Sequence, residues 1–362
     1  MSTIIKQLQV RRDDLTQSRV VSVDAASLQP GEVLARIDSF ALTANNVTYG
    51  VSGDAIGYWN FFPAADGWGH IPVWGYATVI ESLCDEVPVG QQVWGFLPMA
   101  SHVVMQPSGV RHGHFVDGAA HRAALPSLYN RYQNTAGDPP ALKALADERS
   151  GLFPLFTTSY VIADFLADND WFGAKQVIVL SASSKTGFGL ANVLHNWADK
   201  PVSVIGATSS GNRDFVESLG ICDQVIAYDQ IDALDPKVPT IVVDMAGSAP
   251  ILTAVHTRFG DNLVYSCIVG ATHWTAERGR AELPGAKPTF FFAPSQILKR
   301  EADWGPGEIL RRAQAEGIRM AGEIKGQVEL EHLSGADACA DALSDMVAGK
   351  VSPRRLLILS LA

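Results

Sequence analysis

The segment Val177-Ile-Val-Leu-Ser-Ala-Ser-Ser-Lys-Thr-Gly-Phe-Gly-Leu-Ala191 decides how this 362-residue chain is read. Val177 to Leu180 are consecutive β-formers. A turn of small residues follows. A helical apolar pattern then starts near Thr186 and runs through Leu190, Val193, Leu194 and Trp197. Strand, small-residue turn and helix in this order aim backbone N–H groups and the positive end of a helix dipole at a bound anion, usually a phosphate. The local match is partial. The glycine fingerprint G-x-G-x-x-G has one firm counterpart here, Gly187. Lys185-Thr186 resembles the end of a P-loop, but Leu180 stands where that motif needs glycine. The stretch therefore reads as a phosphate cradle built from Ser183, Ser184, Lys185, Thr186 and Gly187, or as an ordinary turn of an α/β sheet. Lys185 itself either pairs with a pyrophosphate or extends into solvent.

The next segments continue the alternation. Pro201-Val-Ser-Val-Ile205 reads as a second buried strand, followed by a helix through Phe215, Val216 and Leu219 that Gly220 closes. Gln224–Tyr228, Thr240–Asp244 and Asn262–Gly270 read as three more strands. Strands alternating with helices predict a parallel sheet, with ligands bound beyond its carboxyl edge. The end of the second strand chooses between cofactors. An NAD-binding fold places a carboxylate there to hold the ribose 2′-hydroxyl. This chain offers Thr208, Ser209, Ser210, Asn212 and Arg213. Hydroxyls, an amide and a guanidinium suit a 2′-phosphate, so NADP(H) is the expected cofactor. A solvated charge in a helix's first turn is the alternative for Arg213.

Composition narrows the classes. Hydrophobic residues make up 47% of the chain and charged residues 18%, enough for a large core and two domains. A formal net charge of −10 argues against nucleic acid and anionic membranes as general partners. No apolar run approaches the roughly 20 residues of a membrane span, and Met1–Lys6 lacks a signal core. Cytoplasmic residence is the expectation. Cys84, Cys222, Cys267 and Cys339 stand far apart, and none forms a C-x-x-C pair, so buried free thiols are expected.

Residues 1 to about 108 read as short strands between Pro/Gly turns, as in a small β-barrel. Residues 109–150 show no clear periodicity and read as a long irregular excursion, packed by Phe115, Tyr129 and Tyr132. A helix is expected over Phe156–Leu166. Beyond the central sheet come a loop at Pro284–Pro294 and a helix at Glu308–Gly317. A strand near Gly326–Leu330, a helix at Ala336–Ala348 and a strand at Arg355–Leu359 complete the chain.

This order resembles the medium-chain dehydrogenase/reductase superfamily across nearly the whole chain. Leu28-Gln-Pro-Gly-Glu-Val-Leu34 resembles the family's opening strand. Gly75–Glu81 followed by Val89-Gly90-Gln-Gln-Val-Trp-Gly95 resembles its glycine-rich hairpin and the segment after it. Val242–Gly247 and Ile268–Gly270 resemble the strand ends that flank the cofactor, at Met245, Val269 and Gly270. The resemblance implies an α/β chain of three parts. These are a GroES-like β-barrel domain at 1–150 carrying the excursion, a Rossmann domain at 151–286, and a return segment at 287–362.

The likeness is to the quinone oxidoreductase and enoyl reductase branches, which lack zinc. The positions that align with zinc ligands hold Thr43, Val73-Trp74 and Pro154, so no catalytic metal is implied. The turn Ser184-Lys-Thr-Gly187 and the longer excursion depart from the family pattern. The resemblance further implies an NADPH-dependent oxidoreductase that delivers hydride to a small apolar carbonyl-type substrate, a conjugated carbonyl, a quinone or an enoyl thioester; the alternatives are a non-catalytic NADPH-binding protein of the same fold and a ketone or aldehyde carbonyl reductase. It places Thr43–Tyr49 at the hydride-transfer cleft, with Tyr49 as a proton donor and Asn46 as a polar partner. Barrel packing is the alternative for Tyr49, and a turn role for Asn46. Thr157 and Thr158 fall where the linking helix passes the nicotinamide, or else cap that helix. His273-Trp274 line the substrate side, or His273 is structural. Trp59, Phe61, Phe62, Trp68 and Trp74 read as core or as the wall of an apolar pocket. Phe290–Pro294 shapes the same wall or an inter-subunit contact, and a homodimer is compatible with either.

Overall fold

In the computed structural model, which describes residues 3–245, 247–269 and 283–361, Gln176–Leu180 lies inside a six-stranded parallel sheet. The order across that sheet is Gln224–Ala227, Ser203–Thr208, Gln176–Leu180, Thr240–Asp244, Leu263–Ile268 and Pro288–Phe290. The chain moves outward from Gln176–Leu180 first in one direction and then in the other. The topological switch point therefore falls between Gln176–Leu180 and Thr240–Asp244. Every residue of both strands is buried, as expected where helices cover the two faces of a parallel sheet. Ile178, Leu180, Ile205, Val242, Leu252 and Val255 join in one of its apolar clusters.

The chain divides into two units, Met1–Gly151 with Glu329–Ala362, and Leu152–Val328. The first unit is mostly antiparallel. Nine strands form its main sheet, centred on Val33–Leu42, Pro72–Ser82 and Gln92–Pro98. A three-stranded sheet, Ser18–Asp24, Ile4–Arg11 and Trp68–Gly69, is stitched to it by Leu8 N–H to Met99 O at 2.8 Å and Ser101 N–H to Lys6 O at 2.8 Å. The last strand, Arg355–Ser360, pairs with Val33–Leu42 on one side and with Glu329–Ser334 on the other. This is the GroES-like domain, and the second unit is the Rossmann domain. Pro288–Phe290 and the helices Ala293–Trp304 and Glu308–Glu323 lie within the second unit.

Residues 109–150 are more regular than the sequence predicts. Pro107–Arg111 and His114–Asp117 form a hairpin, and Arg131–Asn134 joins it to Gln92–Pro98, extending the main sheet by three strands. The strands are four or five residues long and broken by turns, too short for alternation to show. What holds them is packing. Phe115 stacks on Tyr132 at 5.3 Å between ring centroids, and Tyr132 donates to Phe96 O at 2.6 Å. At Gly95 a Cβ would stand 2.5 Å from the Tyr132 ring, so this strand must lack a side chain for the excursion to close against it.

Two buried arginines pin the same segment. Arg122 pairs with Asp117 at 3.3 Å, and Arg149 with Asp138 at 2.5 Å; both arginine side chains are 2% exposed. Arg149 also donates to Gln133 Oε1 at 2.6 Å and lies 4.5 Å over the Trp94 ring.

The linking helix runs Ala146–Asp168, ten residues earlier than the sequence predicts, and carries Pro154 inside it. By length and composition it could cross a membrane, which the sequence reading had not anticipated. However, 72% of its apolar window is buried within the protein, as in a core helix. The early loop at Pro284–Pro294 contains the edge strand Pro288–Phe290, and the later strand begins at Glu329 rather than Gly326.

Removing one member of a buried ion pair strands the other charge. Arg149→Met should therefore destabilise the protein by about 3–5 kcal/mol. Chemical denaturation followed by the fluorescence of the chain's eight tryptophans, Trp94 among them, checks this. A loss within about 0.5 kcal/mol, the surface range, would show that the pair does not anchor the excursion.

Candidate functional site

The carboxyl edge of the parallel sheet is built around the turn 181–187. Ser181 begins it with φ +57°, a left-handed conformation that a side chain tolerates at a cost of roughly 1–2 kcal/mol. Strain of this kind collects at functional turns. Ser184 then caps the helix Lys185–His195, its Oγ accepting from Gly187 N–H at 3.1 Å. At Gly187 a Cβ would stand 2.3 Å from Ser181 O, so only glycine lets the helix start this close to the strand. Gly189 serves packing two residues later, where a Cβ would press on Phe156 at 2.7 Å.

The hydroxyls of neighbouring strand ends meet here. Thr208 Oγ1 donates to Ser183 Oγ at 3.0 Å, and Asn212 Nδ2 approaches the same oxygen at 3.4 Å. Thr208 and Ser183 are buried, whereas Ser209 and Ser210 are exposed. Among the described residues, the backbone N–H groups of Ser183 and Thr186 find no acceptor. The turn thus presents donors at the positive end of an eleven-residue helix, and this donor set fits a phosphate.

Lys185 is half-buried, not extended into solvent. Loss of hydration lowers its pKa to about 8. Arg213 takes the solvated alternative in this structure. It is 42% exposed and its Nε donates to Glu217 at 2.8 Å on the same helix face. No carboxylate occupies Thr208–Asn212. Met245 is half-buried directly after Asp244, whose Oδ1 accepts from Gly247 N–H at 3.0 Å. Val269 N–H donates to Asp244 O at 2.9 Å, which sets these two adjoining strand ends side by side. Gly270, His273 and Trp274 lie outside the described residues. Thr157 and Thr158 sit in the middle of a helix, so neither caps it; Thr158 Oγ1 donates back to Pro154 O at 3.2 Å.

One contributor escaped the sequence reading. Ser181 N–H donates to the Tyr228 hydroxyl at 3.1 Å, so a tyrosine two strands away holds the strained residue. Burial raises that phenol's pKa, which keeps it protonated. A tyrosine closing an outer parallel strand was the available signal. Its partner emerges only from the strand order.

In the first unit, Thr43–Tyr49 folds into the helix Ala44–Val51. Asn46 is 3% exposed and fully engaged. Its Oδ1 accepts from Thr43 N–H at 2.7 Å and from Thr43 Oγ1 at 3.0 Å, and its Nδ2 donates to Pro72 O at 2.9 Å. These bonds cap the helix and tie it to the next strand, the local role given above as the alternative for this amide. Tyr49 is buried among aromatic rings, 4.6 Å from Tyr58 and 5.5 Å from Phe96 between centroids. Trp74 Nε1 donates to its hydroxyl at 3.4 Å, and burial raises its pKa well above the usual value. It can donate a proton only as a neutral phenol. Of the aromatics read as core or pocket wall, Trp59, Phe61, Phe62 and Trp74 are core. Trp68 is half-buried under Arg19 at 3.9 Å. Among the described residues no group of three metal-ligating side chains converges.

Comparisons with known proteins agree with this architecture. No curated protein matches the sequence. Solved structures match it end to end at low identity. CurA of Vibrio vulnificus in complex with NADPH is 14% identical with a TM-score of 0.65, the match covering 99% of each chain. The yhdH oxidoreductase of Salmonella enterica in complex with NADP is 13% identical with a TM-score of 0.52, covering 100% of each chain. The quinone oxidoreductase of Coxiella burnetii is 15% identical with a TM-score of 0.51, covering 99% of this chain and 100% of its own. At such identities the shared property is the fold. Residues 40–352 match a family described as "Protein of unknown function (DUF2855)", and the chain belongs to that family.

Proposed function

We propose that this chain is an NADPH-dependent oxidoreductase that reduces a conjugated carbonyl, a quinone or an enoyl thioester without a catalytic zinc. The observation that carries the reading is the turn 181–187: a strained strand end, a serine-capped helix and a glycine no other residue can replace, with unspent N–H groups at the sheet's switch point. NADP(H) complexes of two proteins with this fold support the cofactor class. Ser183, Ser184, Lys185 and Thr186 would hold the pyrophosphate, and Ser209, Ser210, Asn212 and Arg213 the 2′-phosphate. When bound, NADPH supplies the hydride. The chain's own part is to orient the acceptor and to supply a proton, for which Tyr49 is the candidate. A homodimer through the exposed Phe290 and Phe292 belongs to the same proposal.

A non-catalytic NADPH-binding protein is the second reading. The complete use of Asn46 in capping and the burial of Tyr49 favour it. Following NADPH absorbance with a panel of quinones, enones and enoyl thioesters separates the two. Oxidation that depends on an acceptor supports the enzyme. Tight NADPH binding with no oxidation supports the second reading.

The desolvated lysine predicts a pH profile. In the free protein Lys185 holds its proton below about pH 8, and a bound phosphate raises that pKa. NADPH affinity should be full below pH 8 and fall as pH rises through it. Lys185→Ala should weaken binding by about 1–3 kcal/mol and flatten this profile. Fluorescence titration between pH 6.5 and 9.5, values chosen to lie roughly 1.5 units on either side, measures both effects. A wild-type profile with no fall above pH 8 would remove Lys185 from the cradle.

Cofactor choice gives a further test. NADPH should bind at least tenfold more tightly than NADH, roughly 1.4 kcal/mol. For this Arg213 must exchange Glu217 for the 2′-phosphate. Arg213→Ala should narrow the gap by weakening NADPH alone. Equal affinities in the wild type would overturn the assignment, and a gap unchanged in the variant would transfer it to the serines.

A further inference from the structure

A half-open cavity of about 210 Å³ lies wholly in the first unit, walled by residues of the main and smaller sheets and, from the excursion, by Asp117, His121 and Arg122; it has no part in the nucleotide turn. Its walls are Ile5, Phe61, Phe62 and Val104, among other apolar groups, and His102, His121, Asp117 and Arg122 bring polar atoms to it. An apolar cavity of about 150 Å³ accepts a benzene ring. This one therefore has room for a ring with one small polar substituent.

Arg122 sets the chemistry. Its side chain is 2% exposed, lies 4.5 Å over the Phe62 ring, and uses Nη1 for both Asp117 at 3.3 Å and the Tyr132 hydroxyl at 3.1 Å. Nε is buried without a hydrogen-bond partner, and no described residue accepts from Nη2. The Nε–Nη2 edge is one of the two edges through which guanidinium grips a carboxylate with paired bonds. The Arg122–Asp117 pair holds the excursion through Nη1, and that role leaves the Nε–Nη2 edge unused. His102 adds a ring nitrogen to the lining. Ser101 Oγ accepts from Lys6 N–H at 2.9 Å and meets His102 Nδ1 at 2.9 Å. His121 directs Nε2–H to Phe61 O at 3.3 Å and stands exposed at the rim.

We propose that this cavity is a binding site for a small aromatic carboxylate, the ring held between Phe62 and the apolar walls and the carboxylate on the free edge of Arg122. The buried Arg122 guanidinium disfavours cations. The aromatic walls favour a planar body over an inorganic anion.

Benzoate is the probe and benzyl alcohol its uncharged counterpart, titrated calorimetrically into the full-length protein without NADPH. Benzoate should bind saturably with a Kd on the order of 1 mM or tighter, and benzyl alcohol at least tenfold more weakly. Arg122→Lys keeps the charge but loses the fork, and should weaken benzoate by about tenfold or more. Because that variant disturbs a buried pair, Val104→Trp provides the independent arm. Val104 is 37% exposed on the cavity wall and is not a member of the Arg122–Asp117 pair, so tryptophan there leaves both paired groups in place while occupying the space, and should abolish benzoate binding in a protein that still folds. Equal binding of benzoate and benzyl alcohol, no saturation, or full benzoate binding by a folded Val104→Trp variant would each overturn the proposal.

Discussion

The carbonyl oxygen of Ser181 stands where any side chain at position 187 would have to go. That exclusion fixes how near the helix Lys185–His195 starts to its strand, and so where the helix's first N–H groups lie. The rest of the carboxyl edge is arranged around this close approach. Ser184 uses one N–H group, Tyr228 holds the strained residue before it, and Thr208 and Asn212 converge on Ser183. The usual dinucleotide turn spends several glycines on such geometry. This chain spends one and makes up the difference with hydroxyls and a left-handed serine.

The parts of the fold that were legible in the sequence are those in which burial alone dictates residue type. Gln176–Leu180 and Thr240–Asp244 are covered on both faces, so each reads as an unbroken apolar run. Gly220 at φ +66° closes its helix where the pattern stops. The excursion was illegible for the opposite reason. Its strands are too short to show a period, and their partners are far away in sequence, such as Gln133 opposite Trp94. The same limit hid Tyr228, whose role depends on which strands are neighbours.

The candidate site was legible in residue type but not in use. An asparagine that caps a helix and one that polarises a carbonyl look identical in a sequence, and only the bonds to Thr43 and Pro72 assign Asn46 to the first role. Arg213 poses a related problem. Its reach toward a phosphate and its pairing with Glu217 one turn on are both ordinary for an exposed arginine. Lys185 differs because its surroundings are already dry, so its charge responds to whatever is placed beside it.

The pairing of Arg355–Ser360 with Val33–Leu42 has a consequence for biosynthesis. The Rossmann unit is one continuous stretch, Leu152–Val328, and can complete itself while the chain is still being made. The unit begun first cannot. Until the final strand emerges, Phe40–Leu42 keep backbone groups open along a β-edge, and unpaired edges invite association with other chains. A nascent chain therefore carries its oldest domain unfinished behind a finished younger one, and premature termination between Val328 and Leu357 leaves that edge uncovered.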